Sequence, residues 1–418
     1  MSDKKSILVL GFNTRPLAFS LKQSGFDVYV VDFFGDIDLF PYVKDSIIIT
    51  ERLNSNYEAL KEDFDIYLIN FGLEMLKKYP NIDYFLIGSG LDDAINERRV
   101  FEEKINELGL KIKNTNNDLK IIEKARDINL IHKILKENDF PVPLTCNLEN
   151  VDDLSFDFTF PIILKKKHSS GGISIKKITN RTELKEEKWK MIKNKINLSD
   201  WLVQEYIEGI PVSCTFISNG IKSEIISINQ QLIGEKISNP PSNFFYCGNV
   251  VPAKISKKDK DLITKISLRL ASELGLKGIN GIDYVLRDHD PFFMEINPRI
   301  PGSIRASECS LNINLLDLHV KSFETFKWKN IVNHLKSISK IEYATKLIMY
   351  ASKDLNELHL EQINNLKNVH DKTLPQKGAK KGDPVCTILN VDDDHDSSYK
   401  GALKIANKIN LIMNESSY

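Results

Sequence analysis

Residues 281–299 read GIDYVLRDHDPFFMEINPR, two alternating apolar runs either side of a polar turn. That alternation predicts a pair of antiparallel strands. With residues 287–291 as a five-residue hairpin loop, a common length, Leu286 pairs with Phe292. Counting back along the ladder then sets Asp283 opposite Glu295. Period-2 alternation puts Asn297 on the Glu295 face and Phe292, Met294 and Ile296 on the other. Facing residues have Cβ atoms about 5 Å apart, where like charges are destabilising. Two carboxylates there need a proton between them or a cation. Together with an amide oxygen they form a hard ligand set suited to Mg²⁺ that keeps several waters and binds phosphate oxygens. A solvated hairpin with acids on its wet face would carry the same two residues. Asn297-Pro298-Arg299 tips the reading toward a site, because it adds a third ligand type and a cation just past the strand.

Outward from that hairpin, the chain is organised in stages. Residues 6–11 (SILVLG), 27–32 (DVYVVD), 65–70 (DIYLIN) and 84–88 (YFLIG) read as strands, with helices at 16–24 and 92–108. Such alternation predicts a parallel sheet covered by helices on both faces. Helical periodicity returns at 127–137. Strand-rich stretches follow at 160–165, 201–206, 212–218 and 223–229, then an amphipathic helix at 257–274. Further strands are expected near 341–350 and 384–391. The fold class is therefore α/β (α+β), and 418 residues call for several domains. The expected division is 1–115, 116–330 (split near 200) and a β-rich 331–418.

Composition excludes several function classes. Lys plus Arg and Asp plus Glu both number 57, so the chain is neutral, which argues against a nucleic-acid or anionic-membrane binder. No apolar run approaches the roughly 20 residues that span a bilayer, and the apolar opening is too short for a secretory signal. Cys146, Cys214, Cys247, Cys309 and Cys386 are scattered without a CxxC pair, which fits buried thiols in a reducing cytoplasm. The acids of residues 392–396 (DDDHD) read as a solvated loop rather than a metal site.

Two weaker elements lie upstream of the hairpin. Residues 160–175 (FPIILKKKHSSGGISI) read as strand, loop, strand, with Lys165 at the end of the first strand. The loop residues Ser169, Ser170, Gly171 and Gly172 would let backbone N–H groups close around an anion, though Ser-Gly-Gly also makes ordinary hairpin loops. In residues 201–213 (WLVQEYIEGIPVS) a buried strand runs into polar Gln204-Glu205, a strand end that can read an adenine edge or simply enter a turn.

Lys165 with SSGG, then QEYIEG, then GIDYV and MEINPR, in this order and spacing, resemble the ATP-grasp superfamily, which includes D-alanine–D-alanine ligase, biotin carboxylase and carbamoyl-phosphate synthetase. Residues 11–38, NQQLIG with FFYCGNV, and KGDPVCTIL look like a predicted carboligase branch found in archaea and some bacteria. The resemblance implies an ATP-grasp fold with a Rossmann-like N-terminal domain. It implies ATP and Mg²⁺ (or Mn²⁺) as cofactors, with Lys165 on the phosphates and Ser169 to Gly172 covering them. Gln204, Glu205 and Ile207 would lie along the adenine, Asp283, Glu295 and Asn297 on the metal, and Arg299 on the reacting carboxylate. Two departures stand out. Asp127 is followed by Ile128 where the family carries Lys, leaving Lys124 or Arg126 to supply that cation, and the usual Lys-Pro of the loop is Lys165-Lys166.

The implied activity is an ADP-forming carboxylate–amine ligase working through an acyl phosphate. Bicarbonate activation and a non-catalytic nucleotide-binding module are the alternatives. The partners would be small carboxylates and amines, with no nucleic acid or membrane, and a homodimer is compatible. Asn13 and Arg15, after the first strand, are candidates for holding substrate at the sheet's crevice, as is Gln231. Arg15 is equally readable as a surface arginine capping the sheet.

Overall fold

The computed structural model describes residues 4–151, 158–168 and 171–415. Three sheets organise them. The first is parallel: β1 (Ser6–Gly11), β2 (Asp27–Asp32), β3 (Asp45–Ile48), β4 (Tyr84–Ile87) and β5 (Lys113–Asn114), in the order β3-β2-β1-β4-β5. Ile7, Val9, Val28 and Val30 pack on one face and Leu8, Leu10, Val31 and Phe85 on the other, so both faces are dry.

One expected strand is a helix instead. DIYLIN lies inside the helix Phe64–Lys78, where Leu68, Ile69, Gly72, Met75 and Leu76 are buried. That spacing marks one helical face, visible only when the window extends beyond six residues. The short DSII of β3, unmarked by alternation, supplies the sheet edge in its place.

The second sheet is antiparallel, in the order β6-β9-β7-β8: β6 (Thr145–Asn147), β7 (Ile162–Lys166), β8 (Ile175–Ile178) and β9 (Trp201–Glu205). The third has eight strands, in the order β14-β13-β10-β11-β12-β15-β17-β16. They are β10 (Ile210–Asn219), β11 (Ser223–Ile233), β12 (Tyr246–Val251), β13 (Lys277–Arg287), β14 (Asp290–Asn297), β15 (Tyr343–Tyr350), β16 (Val369–His370) and β17 (Pro384–Asp392). Because β12 pairs with β15, this sheet runs without a break through residue 331. The helix Lys257–Leu274, capped by Ser256 and ended by Gly275 in the left-handed region, covers its centre. No described helix is long and apolar enough to cross a membrane.

The parallel sheet is fastened to the large one. Its apolar face shares a core with Ile217, Ile279, Ile300 and the helices Ile304–Leu311 and Leu315–Ser322. At that seam the buried His319 accepts the Ile279 N–H at Nδ1 (2.9 Å). Its Nε2 therefore carries the proton and donates to the Thr115 carbonyl, also at 2.9 Å. Burial pushes the imidazole pKa down to about 4, the Thr115 bond opposing it. The unfolded ring titrates near 6.5, so the neutral form favours folding above that pH, and the contribution is lost as pH falls toward 4. Denaturant melts from pH 7 to pH 4.5 should show a loss of up to about 3 kcal/mol from this residue, and His319→Asn should flatten that slope while lowering stability at pH 7.

Candidate active site

The β13–β14 hairpin turns through Asp288 and His289, both at positive φ (51° and 74°), with Arg287 paired to Asp290. This is a two-residue turn of the mirror-image kind, not the five-residue loop that the sequence pattern favours. A bulge between Asp283 and Tyr284 restores the register, so Asp283 does face Glu295. The same bulge corrects the facing: Phe293 and Ile296 enter the core, while Met294 lines the cavity beside Glu295.

That cavity, about 620 Å³, lies where the three sheets meet. On its floor Asp283 accepts hydrogen bonds from Gln231 (3.1 Å) and Asn297 (3.0 Å). Burial first, and Glu295 next, push its pKa up to about 8, the Asn297 bond and Arg299 working against them. Two facing acids with an amide oxygen beside them form a hard oxygen donor set of the kind a divalent cation takes. Asp283, Glu295 and Asn297 therefore fit a divalent metal.

Cations face this floor. Lys165, at the end of β7, lines the cavity, and burial lowers its pKa, with Glu295 opposing and Arg126 adding to the shift. Arg126 ends the helix Leu119–Arg126 and reaches within 3.8 Å of Glu295. Of the two cations open to stand in for Ile128, Arg126 lines the cavity, whereas Lys124 is exposed. Arg299 donates Nε to Asp92 at 2.7 Å and Nη2 to the Asn297 oxygen at 3.4 Å.

The family model for the ATP-grasp domain matches residues 125–303, the span that supplies the carboxylate pair, Lys165, Arg126 and Arg299. Residues 125–303 are an ATP-grasp domain. An uncharacterized protein of Methanocaldococcus jannaschii is 29% identical over 400 residues, 91% of this chain and 87% of that one. L-amino acid ligase from Bacillus licheniformis has the same fold at TM-score 0.70 and 16% identity, covering 97% of this chain and 98% of that one. Biotin carboxylase from Campylobacter jejuni, in a beta-gamma-ATP complex, matches at TM-score 0.70 and 15% identity, over 99% and 96%. The chain thus has the ATP-grasp fold, with a Rossmann-like parallel sheet preceding it and an antiparallel sheet extending past it.

Around the ATP-grasp cavity, Gln204, Glu205 and Ile207 lie on one wall together with Tyr206, which sequence reading did not single out. The Gln204 side chain donates to Thr145 (3.0 Å), and Glu205 takes Arg287 (3.2 Å) and the Leu144 N–H. Gln231 lines the cavity through its bond to Asp283. Asn13 and Arg15 lie outside it. Arg15 is buried, with Nε on Asp371 at 2.7 Å and Asp38 at 3.5 Å, and Asn13 donates to Asp36. A guanidinium taken out of water needs carboxylates, and these two leave Arg15 neither a surface cap nor a substrate ligand. In the same cavity Tyr246 donates to the Asn249 oxygen, leaving the buried Asn249 Nδ2 without a partner among the described residues. Asp394, from the acidic run, caps the helix His395–Asn414.

Ser169 and Ser170 fall outside the described residues, but the glycines after them are fixed in place. Gly171 accepts the Tyr246 N–H (3.3 Å). Gly172, at φ +82°, leaves no room for a side chain: a Cβ would sit 1.9 Å from the Phe244 carbonyl oxygen. Gly171 and Gly172 are therefore packed against residues 244–246. Gly172→Ala is expected to lift them, giving faster tryptic cleavage after Lys166 or Lys167 with little change in the global melting temperature.

Proposed function

We propose that this chain is an ADP-forming carboxylate–amine ligase that uses ATP. The observation that carries the reading is the facing pair Asp283 and Glu295 on one side of a cavity with Lys165 and Arg126 on the other. Acids paired for a divalent cation, set against fixed cations, match the charge pattern of a nucleoside triphosphate and its metal.

Mg²⁺ or Mn²⁺, held by Asp283, Glu295 and Asn297, would offset phosphate charge during transfer. Lys165 and Arg126 hold the phosphates. Tyr206 and Ile207 offer the adenine a surface beside the backbone of β9. Arg299, fixed by Asp92, orients the substrate carboxylate so that one of its oxygens attacks the γ-phosphorus and ADP leaves. A neutral amine then attacks the carbonyl carbon of the acyl phosphate. Arg299 stabilises the oxyanion of the tetrahedral intermediate, and inorganic phosphate departs as the nitrogen gives up a proton. Closure of the glycine loop keeps water from the labile anhydride. Gln231 and Asn249 line the acceptor side, where the spare Asn249 donor suits a carbonyl or carboxylate oxygen.

A second reading, activation of bicarbonate to carboxyphosphate, draws support from the fold shared with biotin carboxylase and with N5-carboxyaminoimidazole ribonucleotide synthetase from Thermotoga maritima (TM-score 0.61, 18% identity). Release of ADP and phosphate, measured with pooled carboxylic acids and amines and separately with bicarbonate, discriminates the two. ADP formation that needs an acid and an amine supports the ligase, dependence on bicarbonate alone the second reading, and formation of AMP would overturn both. Glu295→Gln should lower ADP formation by at least about 100-fold with the fold intact by circular dichroism.

A further inference from the structure

Two consecutive acids, Asp92 and Asp93, follow β4 of the parallel sheet and reach across to two arginines that line the ATP-grasp cavity. Asp92 takes Arg299, 207 residues away in the chain. Asp93 takes Arg126 in a two-pronged pair, Nε to Oδ1 at 2.8 Å and Nη2 to Oδ2 at 2.9 Å. The same Asp93 Oδ1 lies 3.0 Å from Nδ1 of His168, which stands immediately before the glycine loop. Arg126 in turn approaches Glu295 of the carboxylate pair. One carboxylate thus joins the parallel sheet, the helix end that carries Arg126 and His168, just past the end of the second sheet's first hairpin strand.

An exposed ion pair in this arrangement would contribute little. Asp93 is itself exposed, and what sets this pair apart is its geometry and the burial of the arginine. The Arg126 side chain is only 10% exposed, and the planar fork meets both oxygens, which fixes the guanidinium in orientation as well as position. The Nε and Nη2 donors along one edge are committed to Asp93, and Nη1 lies 3.8 Å from Glu295, on the side of the cavity. Arg126 comes from the residue before a helix junction capped by Asp127, and its long side chain has many rotamers to lose.

We propose that Asp93 is a positioning residue that holds Arg126 against the nucleotide phosphates and ties down the glycine loop through His168. This rests on the ATP-using reading above. Asp93 touches no substrate; it acts through Arg126 and the loop, so its loss weakens nucleotide binding without removing a reacting group.

Isothermal titration of the full chain with MgADP tests this without knowledge of the acid or amine. Asp93→Asn, which keeps size and removes charge, is expected to weaken MgADP binding by about tenfold or more, and Asp93→Glu to recover part of it. His168→Ala, which cuts only the loop arm, should lose less. Melting temperatures of the ligand-free variants within a few degrees of the parent show that the loss is local. Unchanged MgADP affinity in Asp93→Asn overturns the proposal, as does a His168→Ala loss equal to that of Asp93→Asn, which would assign the effect to the loop alone. Failure of the parent chain itself to bind MgADP or MgATP overturns the ATP-using reading and this one together.

Discussion

Two acids held face to face on neighbouring strands cannot both be charged without repelling one another, and much of the cavity's architecture answers that constraint. Asp283 and Glu295 are fixed by a ladder whose opposite face is a dense core of Tyr284, Phe293, Ile282 and Ile296. The apolar side cannot slip without exposing those rings, so the acidic side cannot relax apart. Gln231 and Asn297 each lend Asp283 an amide donor, and Arg126 and Arg299 come toward the pair from outside the hairpin. Stability in the core is what holds the two acids face to face.

The cations have the converse problem. Arg299 and Arg126 are drawn into a partly dry cavity, where each needs an opposite charge that does not fill the space meant for substrate. Asp92 and Asp93 meet that need from behind, on an element belonging to another sheet. The parallel sheet is therefore part of the site's electrostatics as well as a neighbour to it.

How much of this could be read from residues alone follows the range of each interaction. The carboxylate pairing was legible because period-2 alternation is local, although the assumed loop was too long and a bulge supplied the missing residue. The helix Lys257–Leu274 was legible for the same reason, with its Ser256 cap and terminal Gly275. DIYLIN misled because six residues show a strand-like apolar run while the buried face needs a dozen to declare itself. Nothing near Asp92-Asp93 marks those acids as arginine holders, since their partners are set by tertiary contact. Arg15 misled in the same way: its place after β1 has the look of a crevice residue, and its burial against Asp371 carries no local signature.

That last contact has a bearing on how the chain is made. Arg15 meets Asp371 across 356 residues of sequence, and Ile37 and Asp38 exchange backbone and side-chain bonds with residues 371 and 372. During synthesis the parallel sheet emerges first, with an arginine that has Asp38 nearby but not yet Asp371. Until Asp371 arrives with the last strands, that guanidinium lacks its shorter ion pair, at the end of the central strand β1. Arrival of the last strands closes a ring, joining the earliest and latest parts of the chain and making the finished molecule harder to open from either end.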